Sequence, residues 1–147
     1  MAKSKKAVGS LNSLLANYQV FYQNARGFHW NIQGKHFFEL HVKFEELYND
    51  AALKIDEVAE RILTINGKPL HTFKDYLKEA VIEPQKNISD AESAVKAIVV
   101  GLETLIEIER TIQEIAEQDN DTATVDLVSS FIEEQEKTLW MYNAWLR

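Results

Sequence analysis

The chain contains no cysteine. That excludes disulfide cross-links, thiolate metal sites, cysteine nucleophiles and iron–sulfur clusters, and leaves any metal to nitrogen and oxygen donors. Proline occurs twice and glycine five times in 147 residues, so few positions interrupt regular structure. Both prolines, Pro69 and Pro84, fall in one window opened by Asn66-Gly67. No apolar run approaches the ~20 residues of a membrane span. The most apolar stretch, Ala97–Leu102, is closed off by Lys96 and Glu103. The opening lysines Lys3, Lys5 and Lys6 precede a segment too polar for a signal-peptide core, so a cytoplasmic protein without a membrane partner is expected. Basic residues are also short: 16 Lys+Arg stand against 23 Asp+Glu, giving a net charge of −7. The bulk surface is therefore not a nucleic-acid-binding surface. With 46% hydrophobic and 27% charged residues, the chain is neither disordered nor fibrous, and its length fits one domain.

What is present is helical periodicity, with no alternating strand pattern. Leu11, Leu14, Leu15, Tyr18, Phe21, Tyr22, Ala25 and Phe28 recur at three- and four-residue steps, predicting a helix over about 8–33 that Gly34 closes. A second helix is predicted over about 37–65, ended by Asn66-Gly67 and Pro69. A third, over about 89–118, starts at Ser89 with Glu92 as a capping-box partner. A fourth, over about 122–146, has Asp121 as candidate N-cap. Residues 1–7 read as a flexible basic arm. The first and last helix pairs are joined by very short turns, and a link of ~20 residues carrying a short helix (about 72–80) lies between them. Two hairpins with one long crossover point to an all-α, ferritin-like four-helix bundle.

Four polar residues of the second helix share one arc. At 100° per residue, His41, Glu45, Asp56 and Glu60 project at about 0°, 40°, 60° and 100°. Yet His41 and Asp56 are ~22 Å apart along the axis, too far for one ion with ligand bonds of about 2 Å. Two antiparallel copies of the helix, crossing near Asp50 and Ala51, bring residues 41 and 45 of one chain opposite 56 and 60 of the other. Ala51 and Ala52 are small enough to let the helices approach there. His29, just across the Gly34 turn, can join His41 and Glu45. Taken singly, His41 beside Glu45 reads as a surface pair, Asp56/Glu60 as solvated, and His29 as a packed histidine. Jointly they make an imidazole–carboxylate set suited to iron(II), zinc or manganese. No Glu-x-x-His occurs, which disfavours a di-metal site inside the bundle.

The stretch from Asn24 to Gly67 resembles the signature region of the Dps family, the DNA-protection-during-starvation mini-ferritins. The resemblance rests on His29-Trp30-Asn31 with Gly34, Phe37-Phe38, Leu40-His41, Phe44-Glu45-Glu46-Leu47-Tyr48, Asp56-Glu57 and Ala59-Glu60-Arg61. It continues more loosely to Trp140-Met141-Tyr142. It implies a hollow shell of twelve identical subunits that oxidises iron(II), typically with hydrogen peroxide, stores the ferric product, and so protects the cell and its DNA from oxidative damage. It also implies ferroxidase centres at two-fold interfaces, two irons each, with zinc as a substitute. The ligands carried over are His29, His41 and Glu45 from one subunit and Asp56 and Glu60 from its mate. The family often has Asp where Glu45 stands. Trp30 matches a tryptophan thought to intercept oxidising equivalents; an interface aromatic is the other reading.

The acidic surplus is concentrated: residues 101–147 carry 3 Lys+Arg against 11 Asp+Glu. Asp126, Asp121 and Glu117 match a region that in the family lines iron-entry pores, although acids at helix ends also suit the helix dipole. The alternative function is a nucleoid protein that binds DNA non-specifically through Lys3, Lys5 and Lys6. With so short an arm, weak and salt-sensitive DNA binding at most is expected. His36 and His71 read as surface residues.

Overall fold

The computed structural model describes residues 5–147; Lys3 lies outside them. The elements run α1 (Lys5–Asn31), α2 (Phe37–Thr64), α3 (Phe73–Glu79), α4 (Ala91–Gln118) and α5 (Thr122–Leu146). α1 pairs with α2 and α4 with α5 as two antiparallel hairpins, α1 packs on α4, and α3 lies against α1. This is an all-helical, ferritin-like bundle whose long 65–90 crossover carries the short helix α3. The apolar stripes read from the sequence meet in one core, with Leu11, Leu14, Phe44, Val58, Ile62, Val95, Leu105, Ile112 and Val128 all fully enclosed.

Helix ends follow local chemistry. Gly34 adopts φ +107° in the α1–α2 turn, a conformation that favours glycine. Asp121 caps α5, its carboxylate accepting from Thr124 N–H. Two expectations shift. α4 is capped by Asp90, which accepts from Ser93 N–H at 2.9 Å, not by Ser89; aspartate and serine are about equal as caps, so packing decides the register. Lys5, the first described residue, already lies in α1, whose apolar stripe runs back to the buried Ala7. Lys5 and Lys6 are therefore exposed residues of a helical turn and not part of a flexible arm.

Three asparagines of α1 fasten the crossover. Asn12 Oδ1 accepts from Leu70 N–H, Asn17 Oδ1 from both Val81 and Ile82 N–H, and Asn24 Oδ1 from Gln85 N–H. Asn12 and Asn24 also donate to the carbonyls of Lys68 and Glu83. Irregular backbone thus finds its partners on a helix side, as buried peptide groups require.

Polar groups also enter the bundle interior. Lys54, 3% exposed, bridges Asp50 (2.6 Å) and Glu134 (2.8 Å). Tyr18, Glu109 and Gln135 form a closed ring: Tyr18 Oη touches Glu109, the Gln135 amide touches both, and Gln135 lies 2.6 Å from Tyr18 Oη. Three such contacts need three protons. The phenol supplies one and the amide supplies one, whichever way the amide is turned. The third must sit on Glu109. Burial accordingly pushes the Glu109 carboxyl up to about 8.

Candidate metal centre

His29 and His41 come together at the start of the α1–α2 hairpin. Their rings stack with centroids 3.8 Å apart and 11° between planes. His29 Nδ1 lies 2.6 Å from the carbonyl oxygen of His41, and His41 Nδ1 lies 2.7 Å from the carbonyl oxygen of His29. A carbonyl can only accept, so both Nδ1 atoms carry the hydrogen. When the rings are neutral, the lone pair of each is then on Nε2, the arrangement that histidine needs to ligate a metal. The Gly34 turn makes this possible by folding α2 back so that each ring reaches the other residue's backbone carbonyl. Phe37 stacks on His41 at 4.9 Å and Tyr48 meets His29 edge-on at 5.4 Å, which holds the pair in place. His29 is buried and His41 half-buried, while Glu45, one turn further along α2, is exposed.

At the other end of α2, Asp56 and Glu60 form the second cluster. Both are exposed. A hydrogen bond between them, followed by their mutual repulsion, raises the Glu60 carboxyl above its ordinary value. The two compete for one proton, and a divalent cation would relieve the same repulsion. Among the described residues no three His, Asp or Glu side chains gather within one chain to hold an ion. One chain thus offers a histidine pair and a carboxylate pair, separated along α2. A groove of about 380 Å³ between α2 and α5, lined by Leu40, Leu47, Met141 and Tyr142 among others, contains none of the expected ligands.

The arc of α2 that carries the candidate ligands is also unusually apolar for an exposed face. Phe38, Val42, Leu53 and Leu63 project at about 60°, 100°, 120° and 40° on the same scale. They are 83%, 49%, 67% and 57% exposed. Exposed apolar surface of that kind marks an interaction face. Ala51 does not belong to it: it is 2% exposed and faces its own bundle. Asp50 is turned to Lys54. The residues at the middle of the exposed arc are instead Asn49 and Ala52. Asp121 likewise departs from expectation. It is 3% exposed, ion-paired with Arg61 at 2.8 Å and bonded to Thr124, so it locks α5 to α2 and cannot line a pore. Glu117 and Asp126, at the adjoining ends of α4 and α5, are exposed.

Comparison with known proteins agrees with this architecture. The family model for a ferritin-like domain matches residues 8–147. A DNA protection during starvation protein of Porphyromonas gingivalis is 46% identical over 138 residues, covering 94% of this chain and 87% of the relative. The chain belongs to the Dps family. DNA protection during starvation protein 2 of Bacillus anthracis is 40% identical to this Dps chain over 143 residues, covering 97% of this chain and 98% of the relative. The crystal structure of a Dps protein from Vibrio cholerae O1, described as one of the ferritin-like diiron-carboxylate proteins, superposes with a TM-score of 0.96. It is 50% identical and covers 100% of this chain and 98% of the other. No helix among the described residues of this Dps chain is long and apolar enough to cross a membrane.

Sequence reasoning missed the roles of Tyr48, which packs on His29, and of Arg26, which lies over the Tyr48 ring. The Arg26 guanidinium lies 4.8 Å from the Trp30 ring centre, 5.2 Å from Tyr22 and 5.9 Å from Tyr48. The signal was available: Tyr22, Arg26 and Trp30 follow one another at four-residue steps on α1, and Tyr48 stands two turns beyond His41 on α2. His36 bonds to Glu39 and packs on Trp145, and His71 is exposed.

Proposed function

We propose that this Dps chain forms a cytoplasmic homododecameric shell that oxidises iron(II) with hydrogen peroxide and stores the ferric product. Its centres lie between two-fold-related subunits. His29, His41 and Glu45 of one chain and Asp56 and Glu60 of the other hold two irons, and zinc can substitute at the same donors. The observation that carries this reading is the reciprocal pair of Nδ1–H hydrogen bonds. Together they orient two Nε2 lone pairs towards a cation at no further conformational cost. The carboxylates add negative charge and hard oxygen donors. The apolar residues around them on α2 are the contact that two copies would bury against each other, excluding water from the ions.

The overall change balances as two iron(II), one peroxide and two protons giving two iron(III) and two water molecules. Holding two irons together lets both electrons reach one peroxide, which avoids release of hydroxyl radical. The protein's part is to bind, to orient and to keep charge density high. Exposed Glu117 and Asp126 supply a negative approach for the cation. Trp30, 57% exposed, is a secondary target for oxidising equivalents that escape the centre.

Iron(II) oxidation under peroxide tests the reading. His29→Ala/His41→Ala is expected to abolish fast oxidation while sedimentation still shows the assembled shell. An assembled double variant that oxidises iron at the wild-type rate would contradict it. DNA protection then follows from chemistry more than from contact. A gel shift at low and moderate salt, with and without residues 1–7, is expected to show weak binding that salt removes.

A further inference from the structure

The histidine pair has two flanking rings that are not ligands, Phe37 on His41 and Tyr48 on His29. Phenylalanine is hard to oxidise and tyrosine is not. Among the described residues Tyr48 is therefore the oxidisable ring in direct contact with the imidazoles. It does not stand alone, because Tyr22 meets it edge to face at 6.0 Å. Both tyrosines are half-buried, and the exposed Trp30 lies on the far side of Arg26. Arg26 forms no ion pair with a carboxylate among the described residues, and its charge rests on the three aromatic faces.

From this arrangement we infer that Tyr48, backed by Tyr22, is the radical relay of the centre, and that Arg26 steers oxidation to the tyrosines and away from Trp30. The inference rests on the ferroxidase reading above. When one iron instead of two meets peroxide, iron(II) and peroxide give iron(III), hydroxide and hydroxyl radical. Tyr48 then gives up one electron and its phenolic proton, the O–H bond breaks, and hydroxyl radical becomes water. The tyrosyl radical is neutral. A further iron(II) returns it to tyrosine, taking up one proton and leaving iron(III). The sum is again two irons oxidised per peroxide, with no radical set free. Oxidising an indole passes through a cation, and a guanidinium 4.8 Å from the Trp30 ring opposes that charge. Forming a neutral tyrosyl radical meets no such opposition.

The test is freeze-quench electron paramagnetic resonance of the assembled protein mixed with iron(II) and peroxide, with iron oxidation followed on the same samples. Wild type is expected to give a tyrosyl signal. Tyr48→Phe, which keeps a ring against His29, should lose it, and mass spectrometry should show more oxidised Trp30. Tyr76→Phe, on α3, should leave the signal intact. Arg26→Leu should move the radical towards a tryptophanyl signal. A tyrosyl signal unchanged in Tyr48→Phe, or no aromatic radical while iron is still oxidised, overturns the relay and leaves the ferroxidase reading standing. Absence of peroxide-driven iron oxidation in wild type overturns that reading and the relay with it.

Discussion

Glutamine in place of Glu109 preserves the side chain's shape and removes only its ability to ionise. In the Tyr18–Glu109–Gln135 ring the amide N–H of a glutamine donates where the neutral acid donates, and its oxygen accepts from Tyr18 as before. The wild-type carboxyl is raised from 4.5 to about 8 by burial, partly offset by the Tyr18 hydrogen bond and the nearby Lys54 charge. The folded chain therefore keeps a proton that the unfolded chain releases. Its stabilising contribution is complete below about pH 4.5, declines as pH rises, and is gone above about pH 8. At about 1.4 kcal/mol per pH unit the full loss is on the order of 3–5 kcal/mol. Glu109→Gln is expected to match wild type within about 1 kcal/mol at pH 4.5 and to exceed it by about that loss at pH 8.5. Guanidinium unfolding at fixed protein concentration measures this, because assembly makes stability concentration-dependent. The difference between the two proteins isolates the group, since all other titrations are common to both. Parallel stability curves from pH 4.5 to 8.5 would show that Glu109 is ionised in the folded chain and that the proton count in the ring is wrong.

Other consequences follow from particular contacts. A Cβ at Gly101 would lie 2.7 Å from the ring of the buried Phe21, so Gly101→Ala forces α1 and α4 apart. It should cost about 1–3 kcal/mol in thermal unfolding, and an unchanged midpoint would contradict the close approach. Asn17→Ala leaves the buried-side N–H groups of Val81 and Ile82 without their acceptor. A loss of about 1–3 kcal/mol is expected, with faster hydrogen exchange confined to the crossover; exchange rising uniformly would count against a local role. Phe38→Glu with Leu53→Glu places two charges on the apolar arc of α2. Sedimentation should show smaller species with intact helical content, whereas a full-sized shell would mean that this face is not an interface.

Helix number, the crossover and the Gly34 turn were legible because periodicity and the scarcity of glycine and proline state them directly. The shared arc of His41, Glu45, Asp56 and Glu60 was legible for the same reason, since angular position on a helix is arithmetic. Arithmetic does not say which arc faces the chain's own core. Ala51 was therefore assigned to the outer crossing although it is buried within the bundle. Asp121 illustrates a second limit: its capping role could be read locally, but Arg61 is 60 residues away in sequence, and only the packed helices show that the pair ties α5 to α2. Lys54 and Glu109 were hidden for a related reason. Charged residues are expected at the surface, and what keeps these two inside is a set of partners drawn largely from other helices: Glu134 beside Lys54, which Asp50 of its own helix also holds, and Tyr18 and Gln135 beside Glu109.

The central claim is that each centre is built from two chains, and subunit complementation tests it most directly. His29→Ala/His41→Ala and Asp56→Ala/Glu60→Ala should each assemble into shells without fast peroxide-driven iron oxidation. In shells co-assembled from equal amounts of both, a mixed two-fold interface has one centre with every ligand intact and one left with Glu45 alone. Random mixing then restores about a quarter of the wild-type activity. Shells shown to contain both chains but oxidising iron no faster than either variant alone would place all the ligands of a centre within one subunit and contradict the account.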